Sequence, residues 1–173
     1  MLRPNPRRRR SNFSWRSGDL KKLPSDGGFY TFLKNLDPIA TQQYIEKADH
    51  FLQAMKLAAL ELAPYRTGIA LLAVHSAISL NDAITAGVTG KKSTHQDHLV
   101  AVKELEGISR KHRIQNLNGT SHFRWLLTEK TRIAYSRERL GDALIRMSVD
   151  RAERFHSWAY NYFKEILHAS VGA

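Results

Sequence analysis

The sequence predicts an all-α protein, an antiparallel bundle of about five helices behind a disordered basic arm. Apolar residues recur at three- and four-residue steps through five long stretches. None of these stretches alternates apolar and polar residues as a half-buried strand would, and Pro and Gly fall mainly at their ends. At 173 residues one domain suffices, and the roughly 150 residues beyond the arm can bury about 68–70% of their unfolded-state surface.

The arm comprises residues 1–27 and the bundle domain residues 28–173. Net charge is +11, yet eight of the 27 Lys and Arg residues lie in the first 22 positions, opposed there by Asp19 alone. The remainder carries 19 basic and 15 acidic residues, so the high pI belongs to the arm more than to the body. Pro4, Pro6, the Ser residues and Gly18 break any periodicity in this segment, which cannot bury enough apolar surface to order itself. Within it Arg7, Arg8, Arg9, Arg10 and Arg16 interleave with Phe13 and Trp15. Guanidinium groups and aromatic faces together suit phosphate contact and base stacking on a single strand, although a plain solvated tail is the commoner reading of a basic run. The apolar run at 29–33 attaches the arm to the body.

Helix one opens at Asp37-Pro38, where the carboxylate caps free N–H groups and proline lacks a donor that would be orphaned anyway. Tyr44, Ala48, Phe51, Met55, Ala59 and Leu62 form its apolar stripe, and Pro64 closes it after Ala63. Helix two covers about 67–86, rich in small residues that allow close approach on several sides, which makes it the central helix. Gly87 and Gly90 mark its end. Ser93 or Thr94 caps helix three, whose Leu99, Val102, Leu105 and Ile108 face inward. A basic, Asn-containing connection at 107–119 is long enough either to carry function or simply to be mobile. Helix four covers about 120–135. Helix five covers about 140–169, with Leu144, Met147, Ala152, Phe155, Ala159, Tyr162 and Ile166 inward.

With no cysteine, disulfides, thiolate metal sites and cysteine nucleophiles are excluded. No apolar run approaches the roughly 18 residues of a membrane span, and the arginine run is not followed by a signal-peptide core. The expected location is the cytoplasm. Phosphate-binding Gly loops, nucleophile elbows and paired-His zinc helices are missing from the sequence. His95 and His98 lie three apart near a helix start, a spacing metals tolerate, but no clear third or fourth ligand follows, so neither metal nor cofactor is expected.

The segment 70–84, with its small residues and mid-helix His75, resembles the long second helix of the HEPN family of small helical, nucleotide- and RNA-associated domains. Ser93-Thr94-His95 followed by Leu99 resembles the opening of that family's third helix. Leu126-Leu127-Thr128-Glu129-Lys130-Thr131-Arg132-Ile133-Ala134-Tyr135, followed by Leu140, Ala143, Ala152 and Phe155, resembles its last two helices. Together these matches span roughly 38–168, and their order and spacing are more specific than any one of them. In the family's nucleases an Arg, a polar residue and a His four to six positions after the Arg meet a second copy across a dimer to cut RNA. The resemblance puts Lys130 where that Arg would stand, Thr131 at the polar position and Tyr135 where the His would stand. A Tyr near pKa 10 cannot exchange protons at neutral pH as a His near 6.5 does, and lysine lacks the planar fork that grips phosphate.

The resemblance therefore implies a noncatalytic homodimer. Its implied partners are a nucleotidyltransferase-type protein, a nucleotide or RNA, in a toxin–antitoxin or defence setting. Lys130 falls on the apolar stripe of Phe123, Leu127 and Ala134, so it either snorkels to the rim, meets an acid such as Asp82, or meets a phosphate or a second subunit. The expected anion site is Lys130 with Tyr135, Arg132 and Arg137. His75, Ser79 and Asp82 lie within about 40° on helix two, and line either a nucleotide pocket, a subunit seam or an internal hydrogen-bond ladder. A competing ribonuclease reading uses Arg151 and His156 of helix five, although a continuous helix separates them by roughly 140°. A third reading makes the arm the RNA-binding element and the bundle its scaffold.

Overall fold

The computed structural model describes residues 38–90 and 98–169, and every regular element among them is helical. Five α-helices follow one another: α1 (Pro38–Ala58), α2 (Leu62–Thr89), α3 (His98–Lys111), α4 (Asn118–Tyr135) and α5 (Asp142–Ala169). A single 3-10 turn, Ala59–Glu61, joins α1 to α2. The arm at 1–27, the apolar run at 29–33, the capping Asp37, and Ser93, Thr94 and His95 lie outside the described residues.

Ile45, Ala48, Leu52 and Met55 of α1 are buried, with Tyr44 packed at the edge of the core. The helix ends at Ala58 rather than Ala63. Pro64 opens α2 instead of closing α1, because in a first helical turn its missing N–H would have had no intrahelical partner. The break is visible as non-helical backbone at Glu61 (φ −121°, ψ 69°) and Tyr65 (φ −112°, ψ 15°). At the other end Gly90, at φ 69°, takes the left-handed cap and donates its N–H to the Ala86 carbonyl, while Gly87 stays inside the helix.

The centre of the bundle is α2, buried on nearly every side through Ile69, Ala70, Ala73, Val74, Ala77, Leu80, Ala83 and Ile84. Its small side chains let α1, α4 and α5 approach together. This corrects one expectation, since Pro64–Thr89 is long and apolar enough to cross a membrane by length and composition, and 72% of its apolar stretch is buried inside the protein.

Two helical hairpins, α1 with α2 and α4 with α5, form the frame, so α2 and α5 run in the same direction. Arg66 near the start of α2 pairs with Asp142 at the start of α5 and donates to the Leu140 carbonyl at 3.2 Å. Farther along the same two helices Ser76 meets His156 at 2.7 Å. Phe123 of α4 stacks on Phe155 of α5 with centroids 5.1 Å apart, and burying each ring contributes about 1.5–3 kcal/mol.

The apolar stripe of α5 follows the predicted one at Ala152, Phe155 and Ala159 and departs from it toward both ends. Met147 and Tyr162 are exposed, while Ile145, Ser148, Ala152, Phe155, Ala159 and Phe163 are buried. Helix three behaves as predicted at Val102, Leu105 and Ile108, all buried.

Candidate anion-binding face

Lys130 sits in an unbroken α4, half-buried beside buried Phe123 and Leu127 and half-buried Ala134. Its ammonium reaches the neighbourhood of His75 on α2. Burial lowers the His75 pKa first, and the positive charges of Lys130 and then of Lys47 on α1 lower it further. Phe51 completes the group, its ring 5.6 Å from the His75 ring and 5.9 Å from the Lys47 ammonium. Three helices therefore bring two ammonium groups and a neutral, surface-exposed imidazole to one face. A phosphate placed there would be attracted by both cations, and its charge would restore proton affinity to His75.

The rest of the predicted anion site does not gather at Lys130. On a continuous helix Arg132 points roughly 160° away from Lys130 and Tyr135 roughly 140° away. Arg132 pairs with Glu129 at 3.5 Å, Tyr135 is 79% exposed, and Arg137 is exposed in the connection to α5. Of the polar stripe on α2, only His75 reaches the surface. Ser79 is buried and Asp82 half-buried.

Arg151 and His156 are held by different neighbours. Arg151 Nη1 donates to His122 Nδ1 on α4 at 2.7 Å. His156 is 4% exposed and bonded to Ser76, and burial, with a smaller contribution from Lys56, lowers its pKa to about 4. The two side chains share no point of access to one phosphate within a single copy. Among the described residues no three His, Cys, Asp or Glu side chains form a metal-binding group. His95 and the arm residues Arg7, Arg8, Arg9, Arg10, Phe13, Trp15 and Arg16 lie outside the described residues, as does the side chain of His98.

Lys47 went unnoticed in the sequence, and Phe51 was read only as part of the apolar stripe of helix one. Their signal was an i,i+4 cation and aromatic pair on the solvent edge of helix one, which only the packing of α1 against α2 brings beside His75. Comparison of the chain with protein-family models, curated proteins and solved structures finds no match.

Proposed function

We propose that this chain is a noncatalytic, HEPN-like binding or regulatory protein, working as a dimer, that holds a phosphate-bearing ligand on the face of Lys47, His75 and Lys130. The ligand class is a nucleotide or RNA. The observation that carries this reading is that Lys130 of α4 and Lys47 of α1, the latter over the Phe51 ring that packs against His75, add positive charge beside an imidazole whose pKa burial already lowers. Such an arrangement is relieved by an anion. The family likeness rests on the ordered sequence matches over roughly 38–168, and it brings the implied nucleotidyltransferase-type partner and the cytoplasmic toxin–antitoxin or defence setting.

A binding role is favoured over catalysis by the position of His156, whose proton-transfer atoms lie in the core away from Arg151. Dimerisation is favoured by the exposed Leu57, Leu60 and Tyr65 around the turn from α1 to α2, apolar surface that a second copy could cover.

The test is the salt dependence of single-stranded RNA binding by the full chain and by Lys130→Met. Loss of one phosphate contact should weaken binding and lower the salt slope by about one, with an unchanged melting curve. Unchanged affinity and slope would remove Lys130 from the site. Deleting residues 1–22 separates the arm, since abolished binding in that variant would make the bundle a scaffold.

A further inference from the structure

A second concave surface lies near the opposite end of α4, about 18 Å along that helix from Lys130. The connection from α3 to α4 and the α5 segment 161–164 enclose an open groove of about 620 Å³, lined by His112, Arg113, Gln115, Asn161, Tyr162 and Lys164 among others. That volume lies within the range of about 300–1,000 Å³ typical of small-molecule sites. No acidic side chain lines it.

The groove is rigidly built. Helix α3 ends in a Schellman turn, with the Arg113 N–H donating to the Arg110 carbonyl at 2.9 Å and the Ile114 N–H to the Ser109 carbonyl at 2.9 Å. The residue in the left-handed position is Arg113, at φ 57°, where glycine is the usual and less strained choice. Buried Ile114 anchors the turn in the core. Trp158 of α5 donates its indole N–H to the Asn116 carbonyl at 2.8 Å and so fastens the connection to α5.

Four of the side chains facing the groove are open to a ligand. The side chains of Arg113, Gln115, Asn161 and Lys164 make no hydrogen bond or ion pair among the described residues. Tyr162 is 44% exposed, with its ring 6.0 Å from that of Trp158. A guanidinium and an ammonium suit a phosphate, an exposed aromatic face suits a base, and carboxamides suit the donor and acceptor pattern of a base edge.

We propose that this groove binds a nucleotide, its phosphate between Arg113 and Lys164 and its base against Tyr162, with Gln115 and Asn161 at the base edge. The nucleotide is either free or one unit of a single-stranded RNA, the two sources offering the same chemistry. The site is independent of the Lys130 face.

Calorimetric titration of the full chain with AMP, a short single-stranded oligoadenylate and inorganic phosphate tests the proposal, using Arg113→Gly, Lys164→Gln, Tyr162→Leu and Lys130→Met. Arg113→Gly keeps the left-handed turn and should melt no lower than wild type, yet it and Lys164→Gln should each weaken nucleotide binding about tenfold. Tyr162→Leu should weaken AMP binding by about fivefold or more and leave phosphate binding unchanged. In the Lys130→Met background, where the other proposed anion face is weakened, the same losses from Arg113→Gly, Lys164→Gln and Tyr162→Leu should remain. In that background, oligoadenylate binding much tighter than AMP and weakened by Arg113→Gly and Lys164→Gln assigns the groove to RNA, and equal affinities assign it to free nucleotide. In that background, phosphate binding as tightly as AMP, AMP affinity indifferent to Arg113→Gly and Lys164→Gln, or no binding of any probe would overturn the proposal.

Discussion

His156 of α5 donates to Ser76 of α2, across 2.7 Å, and Ala48 of α1 fixes the direction of that bond. The Ser76 hydroxyl gives its hydrogen to the Ala48 carbonyl at 2.9 Å, so toward the imidazole it can only accept. The ring must therefore carry its proton on Nε2. Its Nδ1 is buried without a partner among the described residues. The three helices of the central layer are thus tied by one short polar chain inside an apolar core.

Ser76→Ala should remove the acceptor from a buried N–H and destabilise the protein by about 1–3 kcal/mol. Thermal denaturation measures the cost. Nitrogen chemical shifts of the imidazole at neutral pH should report a proton on Nε2 in the wild type, and a proton on Nδ1 would contradict the deduced chain.

Acid should weaken the fold through the same histidine. Its pKa falls from 6.5 to about 4 in the folded protein, so between those values the unfolded chain binds more protons. Stability is fully present above about pH 6.5 and declines as pH falls toward 4, by a total of roughly 3 kcal/mol from this group. Burial lowers the His75, His112 and His122 pKa values as well, which adds to the loss in the same direction. His156→Gln, which keeps a donor toward Ser76, should flatten the dependence of denaturation midpoint on pH. An unchanged acid slope in that variant would place the titration elsewhere.

Gly119 in the first turn of α4 lies directly under the Trp158 indole. A Cβ there would fall 1.9 Å from Trp158 Cδ2, a distance that requires the indole or the backbone to move. Gly119→Ala should destabilise by about 1–3 kcal/mol through overpacking, despite the better helix propensity of alanine. Trp158 also holds the connection at Asn116, so the same substitution should increase amide exchange through 112–117. A variant as stable as wild type would mean the indole has room to turn away.

Helix number and order were legible because apolar steps of three and four residues dominate each stretch, and α2 declared its central place through small side chains. The two departures of the α5 stripe from its expected course, at Met147 and Tyr162, have a specific reason. Ser148 belongs to the buried stripe because its hydroxyl returns to the Leu144 carbonyl at 2.8 Å, whereas hydropathy alone favours its neighbour Met147. That choice, together with taking Tyr162 in place of Phe163, turned an aromatic away from the groove in the sequence reading. Pro64 was misplaced because a proline closes one helix or opens the next, and the pattern on either side is apolar. At the proposed anion-binding face Lys130 and His75 were singled out from their own helices, but their proximity is a product of tertiary packing. Lys47 joins them from a third helix that no local pattern links to the other two.

The most direct test of the proposed binding face is an NMR titration of the His75 imidazole, with and without inorganic phosphate, in the wild type and in Lys130→Met. The expected result is a His75 pKa below its ordinary value in the free protein that rises on adding phosphate. In Lys130→Met the pKa should start higher, because a repelling charge is gone, and should respond less to phosphate. A His75 pKa that ignores both phosphate and the loss of Lys130 would contradict the assignment of this face as an anion site.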